Sequence, residues 1–276
     1  MIILGLNAYH ADSSAAIFVN GKMIAATEEE RFRRIKHWAG FPSQAIEFCL
    51  KEAGVTINEV DHICIGRDPK AKVWNKAKYV LKSLTKKNTL ILDRLKNSNK
   101  IKSLESEFAS HFDCKEVDIK SKIIYVEHHR SHLASAFFAS PFDEAAILSI
   151  DGSGDFTTTM IAVGKGNQIE VLDSIDFPVS AGLFYSAFTQ YLGFPHYGDE
   201  YKVMGLAPYG TPKYAQKIYD HLIDLKEDGS LNSMNISVGG PVKALHITQN
   251  ILLIGGSFET VNSTSRMNCA AVNTLN

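Results

Sequence analysis

The feature that most constrains this chain is an internal repeat. Residues 2–6 read as a short apolar strand, residues 7–14 as a small polar turn, and residues 15–19 as a second strand. A tight turn at Asn20-Gly21 then leads into a third strand over residues 22–27. Residues 146–176 follow the same plan. An apolar strand at 146–150 runs into the polar turn Asp151-Gly152-Ser153-Gly154-Asp155, then come a strand at 157–163, a turn at 164–167 and a strand at 168–175. Asn-Gly between two apolar runs is a strong hairpin signal, because such turns need positive φ at their central residues. Two strand-turn-strand-turn-strand units, each followed by helical sequence, predict two subdomains of similar topology.

Helical patterns fill the intervals. Ser43 reads as an N-cap, followed by an apolar face of Ala45, Ile46, Phe48, Cys49, Leu50 and Ala53 that ends at Gly54. Residues 60–65 and 123–126 read as strands, residues 131–139 as a small-residue helix closed by Pro141, and residues 181–192 as another helix. Residues 70–102 are rich in lysine, with Val73, Ala77, Val80, Leu81 and Leu84 at helical spacing. Few aromatic residues interleave those charges, so the segment reads as a solvated amphipathic helix rather than a nucleic-acid groove.

Composition narrows the function classes. A net charge of -1 gives no global pull toward nucleic acid or an anionic membrane. No run reaches the roughly 18 apolar residues of a membrane span, and the N-terminus lacks a signal peptide's basic region. The four cysteines, Cys49, Cys64, Cys114 and Cys269, form no C-x-x-C pair. They fit a cytoplasmic location and support neither a zinc knuckle nor a disulfide scaffold.

Five segments could carry chemistry. In Glu127-His128-His129-Arg130-Ser131-His132, His128 and His132 are four apart. On a helix that begins at or before His128 both imidazoles share one face, a spacing that lets them reach one divalent metal. A third ligand must come from elsewhere, and a strand-end carboxylate such as Asp151 is the natural candidate. The alternative is that these histidines cap or hydrogen-bond within the fold. The pair directly follows an apolar strand, where open α/β sheets place ligands, which brings the metal level with that alternative and leaves both open. The two repeat turns, which contain Asn7, His10 and Ser13 in one case and Asp151, Gly152, Gly154 and Asp155 in the other, can form concave backbone anion sites. Lys202 and Gly205 lie in the segment Gly198 to Gly210, which is not a Walker A loop. A phosphate-facing lysine and a surface lysine both remain open there. Finally, the run from Glu28 to His37 is either a salt-bridged surface turn or a means of presenting Arg31 and Lys36 to an anionic ligand.

Taken together, these segments resemble the NodU/CmcH-type O-carbamoyltransferases. The resemblance rests on Gly5-Leu6-Asn7 through Ala15, on Glu28 to Phe32 with Lys36-His37, on His128 to Ala136, on Asp151 to Asp155, and on Lys202 to Gly210. It covers about residues 1–233. It implies an α/β, actin/hexokinase-type ATPase fold of tandem RNase H-like halves. The first half would span residues 1–145 with the Lys-rich insertion at about 70–102, and the second residues 146–276, incomplete and atypical after about 233. It implies transfer of a carbamoyl group from carbamoyl phosphate, through a carbamoyl-adenylate made with ATP, to a hydroxyl of a small acceptor such as a sugar, nodulation factor or antibiotic precursor. A YrdC-like domain makes the adenylate in such enzymes. None is visible here, so a separate YrdC-like subunit is an expected partner and the isolated chain is expected to be unstable or inactive. The resemblance also implies iron on His128, His132 and Asp151, with a fourth carboxylate ligand that has no match in this chain. It puts His10 and Lys36 at the reacting intermediate and Asn7, Ser13, Gly152, Gly154, Lys202 and Gly205 at the nucleotide. A sugar kinase or other ATPase of the same fold, and a non-catalytic truncated paralogue, are the competing readings.

Overall fold

The computed structural model describes residues 1–84, 104–196 and 198–221. Beyond them it describes the strands Asp224–Leu225, Leu231–Asn232, Val242–Thr248, Ile251–Gly256, Thr260–Val261, Thr264–Ser265 and Cys269–Asn273. The chain divides into two compact units, Met1–Pro141 and Phe142–Asn276.

The first unit opens on an antiparallel meander of β1 (Ile2–Asn7), β2 (Ser14–Val19) and β3 (Lys22–Glu28). Asn20 and Gly21 turn β2 into β3 with φ of 52° and 80°, as the Asn-Gly pair predicts. Two parallel strands, β4 (His62–Ile65) and β5 (Ile123–Tyr125), extend the sheet beyond β1, giving the order β3-β2-β1-β4-β5. Parallel neighbours require crossover connections, and helices supply them. Between β3 and β4 lie the single turn α1 (Glu30–Arg33) and α2 (Ser43–Ala53). Between β4 and β5 lie α3 (Val73–Leu84), α4 (Leu104–His111) and α5 (Glu116–Lys122), and α6 (His128–Phe137) follows β5. The Lys-rich helix is thus seen from residue 73 to 84, and its continuation to 102 lies outside the described residues.

One core unites these elements. Leu4, Leu6, Ala15, Ile17 and Ile63 project from alternate strand positions, and Ala45, Ile46, Cys49 and Leu50 from one face of α2. Phe108 of α4 and Ile119 of α5 complete it. The start of α2 differs from the expectation. Ser43 is its first helical residue, not its cap, and Pro42 occupies the cap position. The free N–H groups of Gln44 and Ala45 donate instead to the Glu29 carboxylate, at 3.3 and 2.8 Å. Glu29 is fully buried and also pairs with Arg33 Nε at 2.7 Å. The acidic-basic run therefore has a structural centre. Glu29 satisfies orphan donors and complements the helix dipole from 15 residues upstream. Removing one partner of such a buried pair costs on the order of 3–5 kcal/mol.

The second unit also opens on an antiparallel meander, of β6 (Glu144–Gly154), β7 (Thr157–Lys165) and β8 (Gln168–Asp176) in that order. The polar turn expected at residues 151–155 is largely strand. Ile150 pairs with Thr159 and Gly154 with Thr157, so Asp151, Gly152 and Ser153 bulge opposite Thr158 alone. The reversal falls on Asp155 and Phe156, with φ of 51° and 83°. Next come α7 (Ala181–Tyr191), which packs on β6, then α8 (Glu200–Leu206) and α9 (Ala215–His221). The later strands form a β9–β10 pair (Asp224–Leu225, Leu231–Asn232) and a sheet of β11 (Val242–Thr248), β12 (Ile251–Gly256) and β15 (Cys269–Asn273). Thr260–Val261 (β13) pairs with Thr264–Ser265 (β14). Among the described residues β6 is hydrogen-bonded to β7 alone, so the five-stranded plan of the first unit is seen once.

Candidate active site

In the first unit the parallel strands end together, and the ends of β1 and β5 lead into candidate segments. β1 runs into the loop of residues 8–13, β4 into Gly66, and β5 into α6. The helix begins at His128, three residues before the expected start, because the Glu127 carboxylate accepts the N–H of Arg130 at 2.9 Å and caps it. Both spaced histidines therefore lie on α6. His128 Nδ1 is 3.3 Å from the Gly66 carbonyl, and His128 Nε2 is 3.0 Å from His132 Nε2. A proton on Nδ1, shared with Gly66, leaves the Nε2 lone pair of His128 available. With metal–nitrogen bonds of about 2.1 Å, two ligands at a right angle sit about 3.0 Å apart, so the pair fits a shared divalent ion. His129 is fully buried and belongs to the packing of α6. The chain passes close at Gly66, where an added Cβ would lie 3.1 Å from Ser131 Oγ.

His10 is exposed on the 8–13 loop, its ring 6.2 Å from that of His128. The loop is closely tied. Asn7 Nδ2 donates to the carbonyls of Ala11 and Asp12, both at 3.1 Å. Ser13, fully buried, places its hydroxyl 2.9 Å from the carbonyls of both His10 and Gly40. Asn7 and Ser13 therefore build the loop that carries His10. Burial, reinforced by the nearby Glu107 carboxylate, pushes the Tyr9 phenol up to about 12, so it stays protonated. Lys36 is exposed on the facing loop of residues 34–40, next to His37, whose Nδ1 lies 2.9 Å from Asp12 Oδ1. Sequence reading gave neither Asp12 nor His37 a role, because no spacing rule links residues 25 apart.

In the second unit Asp151 sits in the β6 bulge, with its Oδ1 accepting the N–H of Gly152 at 2.6 Å. The Ser180 hydroxyl donates to the Gly152 carbonyl at 2.7 Å and accepts the Leu183 N–H at 3.0 Å, which fastens the bulge to the start of α7. Gly154 is buried opposite Thr157. Lys202 Nζ lies 2.6 Å from Asp199 Oδ1, with the rings of Phe194 and Tyr201 each 5.8 Å away. Gly205 is within α8, and a Cβ there would meet open space. The sequence candidates thus divide, with Asn7, His10, Ser13, Lys36, His128 and His132 in the first unit and Asp151, Gly152, Gly154, Lys202 and Gly205 in the second.

The model of the carbamoyltransferase N-terminus family matches residues 2–250. The chain belongs to that family. An uncharacterized protein of Synechocystis sp. is 46% identical over 233 residues, covering 83% of this carbamoyltransferase-family chain and 38% of the relative. The nodulation protein NolNO of Sinorhizobium fredii is 36% identical over 231 residues, covering 81% and 31%. The chain spans about a third of the length of these curated relatives. Among solved structures, YeaZ from Pseudomonas aeruginosa aligns with a TM-score of 0.34 at 14% identity, over 65% of this chain and 68% of that one, a likeness too low to argue from. The family match continues past residue 233, where the motif resemblance weakens.

Proposed function

We propose that this chain is the acceptor-carbamoylating part of an O-carbamoyltransferase. The carbamoyl group originates in carbamoyl phosphate, passes through a carbamoyl-adenylate made with ATP, and ends on a hydroxyl of a small molecule. The observation that carries this reading is the pair of Nε2 atoms 3.0 Å apart beside the ends of the parallel strands, in a chain of the carbamoyltransferase N-terminus family. Family membership favours it over the sugar-kinase alternative. The proposed fold is of the actin/hexokinase type, with the β3-β2-β1-β4-β5 sheet as one RNase H-like half and the β6-β7-β8 meander opening the second.

In this reading His128 and His132, with Asp151 as the third ligand, hold a divalent metal, iron. When bound, the ion supplies positive charge that makes AMP a better leaving group. The His10 imidazole removes the proton of the acceptor hydroxyl as its oxygen attacks the carbamoyl carbon. A carbon–oxygen bond to the acceptor forms, and the bond from the carbamoyl carbon to the phosphate oxygen breaks. AMP leaves with that electron pair, and the proton stays on His10. The Lys36 ammonium offsets phosphate charge. In this proposal Asn7, Gly152, Gly154, Lys202 and Gly205 lie at the nucleotide, and Lys202 exchanges Asp199 for phosphate when it takes up that role. Ser13, also expected there, is fully buried with its N–H on the Trp38 carbonyl and serves the loop from inside. The proposed acceptor is a sugar, a nodulation factor or an antibiotic precursor, and one relative is named as a nodulation protein. A separate YrdC-like subunit and a cytoplasmic location complete the proposal.

Two measurements test it. After anaerobic loading with ferrous iron, metal analysis should find iron on the wild type and none on His128→Ala or His132→Ala, and equal retention in all three removes the site. Supplied with pre-formed carbamoyl-adenylate and sugar acceptors, the chain should yield carbamoylated product by mass spectrometry. The His10→Ala variant should then be slower by roughly a hundredfold or more, the usual contribution of a positioned base. An unchanged rate takes that role from His10.

A further inference from the structure

We infer that the Asp12–His37 pair is a positioning clasp that holds the loops bearing His10 and Lys36 in one fixed relation. The importance of those two residues rests on the proposed function, whereas the clasp itself rests on geometry. His37 Nδ1 and Asp12 Oδ1 are 2.9 Å apart and come from different loops. Both residues adopt left-handed backbone, with φ of 61° at Asp12 and 56° at His37. Tyr9 at 57° and Arg34 at 58° do the same in the same two loops. That conformation is costly for Tyr9 and Arg34 and milder for Asp12 and His37, whose residue types enter it more readily, and neighbouring interactions hold it here.

The interactions that impose it fall into an inner and an outer set. The inner set is backbone: Ser13 N–H donates to the Trp38 carbonyl at 3.0 Å and Tyr9 N–H to the Gly40 carbonyl at 3.1 Å. Gly40 N–H also donates to Ser13 Oγ at 3.2 Å. These bonds fix the roots of both loops but stop at Trp38. Outward of it, His37 is held by the Asp12 carboxylate, and its N–H donates to Glu30 Oε2 at 3.3 Å. Lys36 directly precedes His37, and His10 stands two residues before Asp12. The pair therefore ties the outer ends of the loops, where the two candidate residues sit. Its side chains are 29% and 50% exposed, so solvent weakens its contribution to global stability. Its effect is on position.

The test uses the full chain and nitrogen-15 relaxation. In the wild type the amides of residues 35–37 should show sheet-like order parameters of about 0.85, falling below about 0.6 in Asp12→Ala and His37→Ala, while residues 10–12, held by Asn7 and Ser13, stay ordered. Urea midpoints should stay the same. His37→Asn, whose amide can replace ring Nδ1, should restore the order. A 34–40 loop that stays rigid in both alanine variants, a fall in midpoint that accompanies the loosening, or failure of His37→Asn to rescue would each overturn the clasp. Calorimetric titration with AMP separates this from the functional reading. A wild type that does not bind AMP counts against the nucleotide proposal and leaves the relaxation data to decide the clasp. If the wild type binds, AMP affinity should drop at least tenfold in both alanine variants, and equal affinity would remove the positioning role.

Discussion

Asp199 and Lys202 show how a side chain that reads as a ligand contact can already have a partner. The hydrogen bond from Lys202 holds the Asp199 carboxyl below the usual carboxylate range, and the same bond raises the Lys202 ammonium above the usual lysine value. A lowered carboxylate adds stability that is present above its unfolded pKa and lost as pH falls through the folded one. A raised ammonium adds stability that is present below its unfolded pKa and lost as pH rises through the folded one. The link is therefore complete at neutral pH. It fails on the acid side only below the ordinary aspartate range, and on the alkaline side only above the ordinary lysine range. Carbon-13 NMR of the Asp199 carboxyl should give a midpoint below that of a free aspartate, moving up in Lys202→Met. A midpoint indifferent to that substitution would mean the two groups are not coupled in solution.

At the scale of elements, the join between β6 and α7 is a close one. A Cβ on Gly182 would lie 2.5 Å from the backbone nitrogen of Gly152 and 2.6 Å from the carbonyl carbon of Asp151. Both atoms are backbone, so neither can step aside by changing rotamer. Gly182→Ala should cost about 1–3 kcal/mol in a urea melt, the usual range for overpacking, and should disturb the amide signals of residues 151–153. Gly205→Ala is the contrast. Open space surrounds it within α8, so alanine should be neutral or stabilising by up to about 1 kcal/mol through helix propensity. A neutral Gly182→Ala would mean that the helix does not sit against the bulge.

On the scale of the molecule, the first unit carries a complete core of its own. Every member of the main buried cluster, from Leu4 to Ile119, lies within Met1–Pro141. Expressed alone, residues 1–141 should melt cooperatively by circular dichroism, and a featureless transition would show that this core is insufficient. The second unit presents a different surface. Leu148, Ile150 and Leu172 are each more than half exposed on β6 and β8. No helix among the described residues is long and apolar enough to cross a membrane.

Local chemistry made much of this legible from sequence. Asn20-Gly21 specified its hairpin because only a few residue types tolerate positive φ, and the apolar runs at 2–6 and 15–19 marked two strands, although which of their residues face the core emerged only with the fold. The four-residue spacing of His128 and His132 set both rings on one helical face, since that spacing is close to one helical turn. Other features depended on residues that meet only after folding. Glu29 capping α2, Asp12 meeting His37, and Ser180 fastening the Asp151 bulge join positions 15 to 28 residues apart. The run Asp151-Gly152-Ser153-Gly154 has turn composition, yet it became strand because Thr157 and Thr159 offered pairing on either side of a bulge. Sequence determines what each segment prefers, whereas tertiary structure decides which partner satisfies each buried donor and acceptor, because that partner can come from anywhere along the chain.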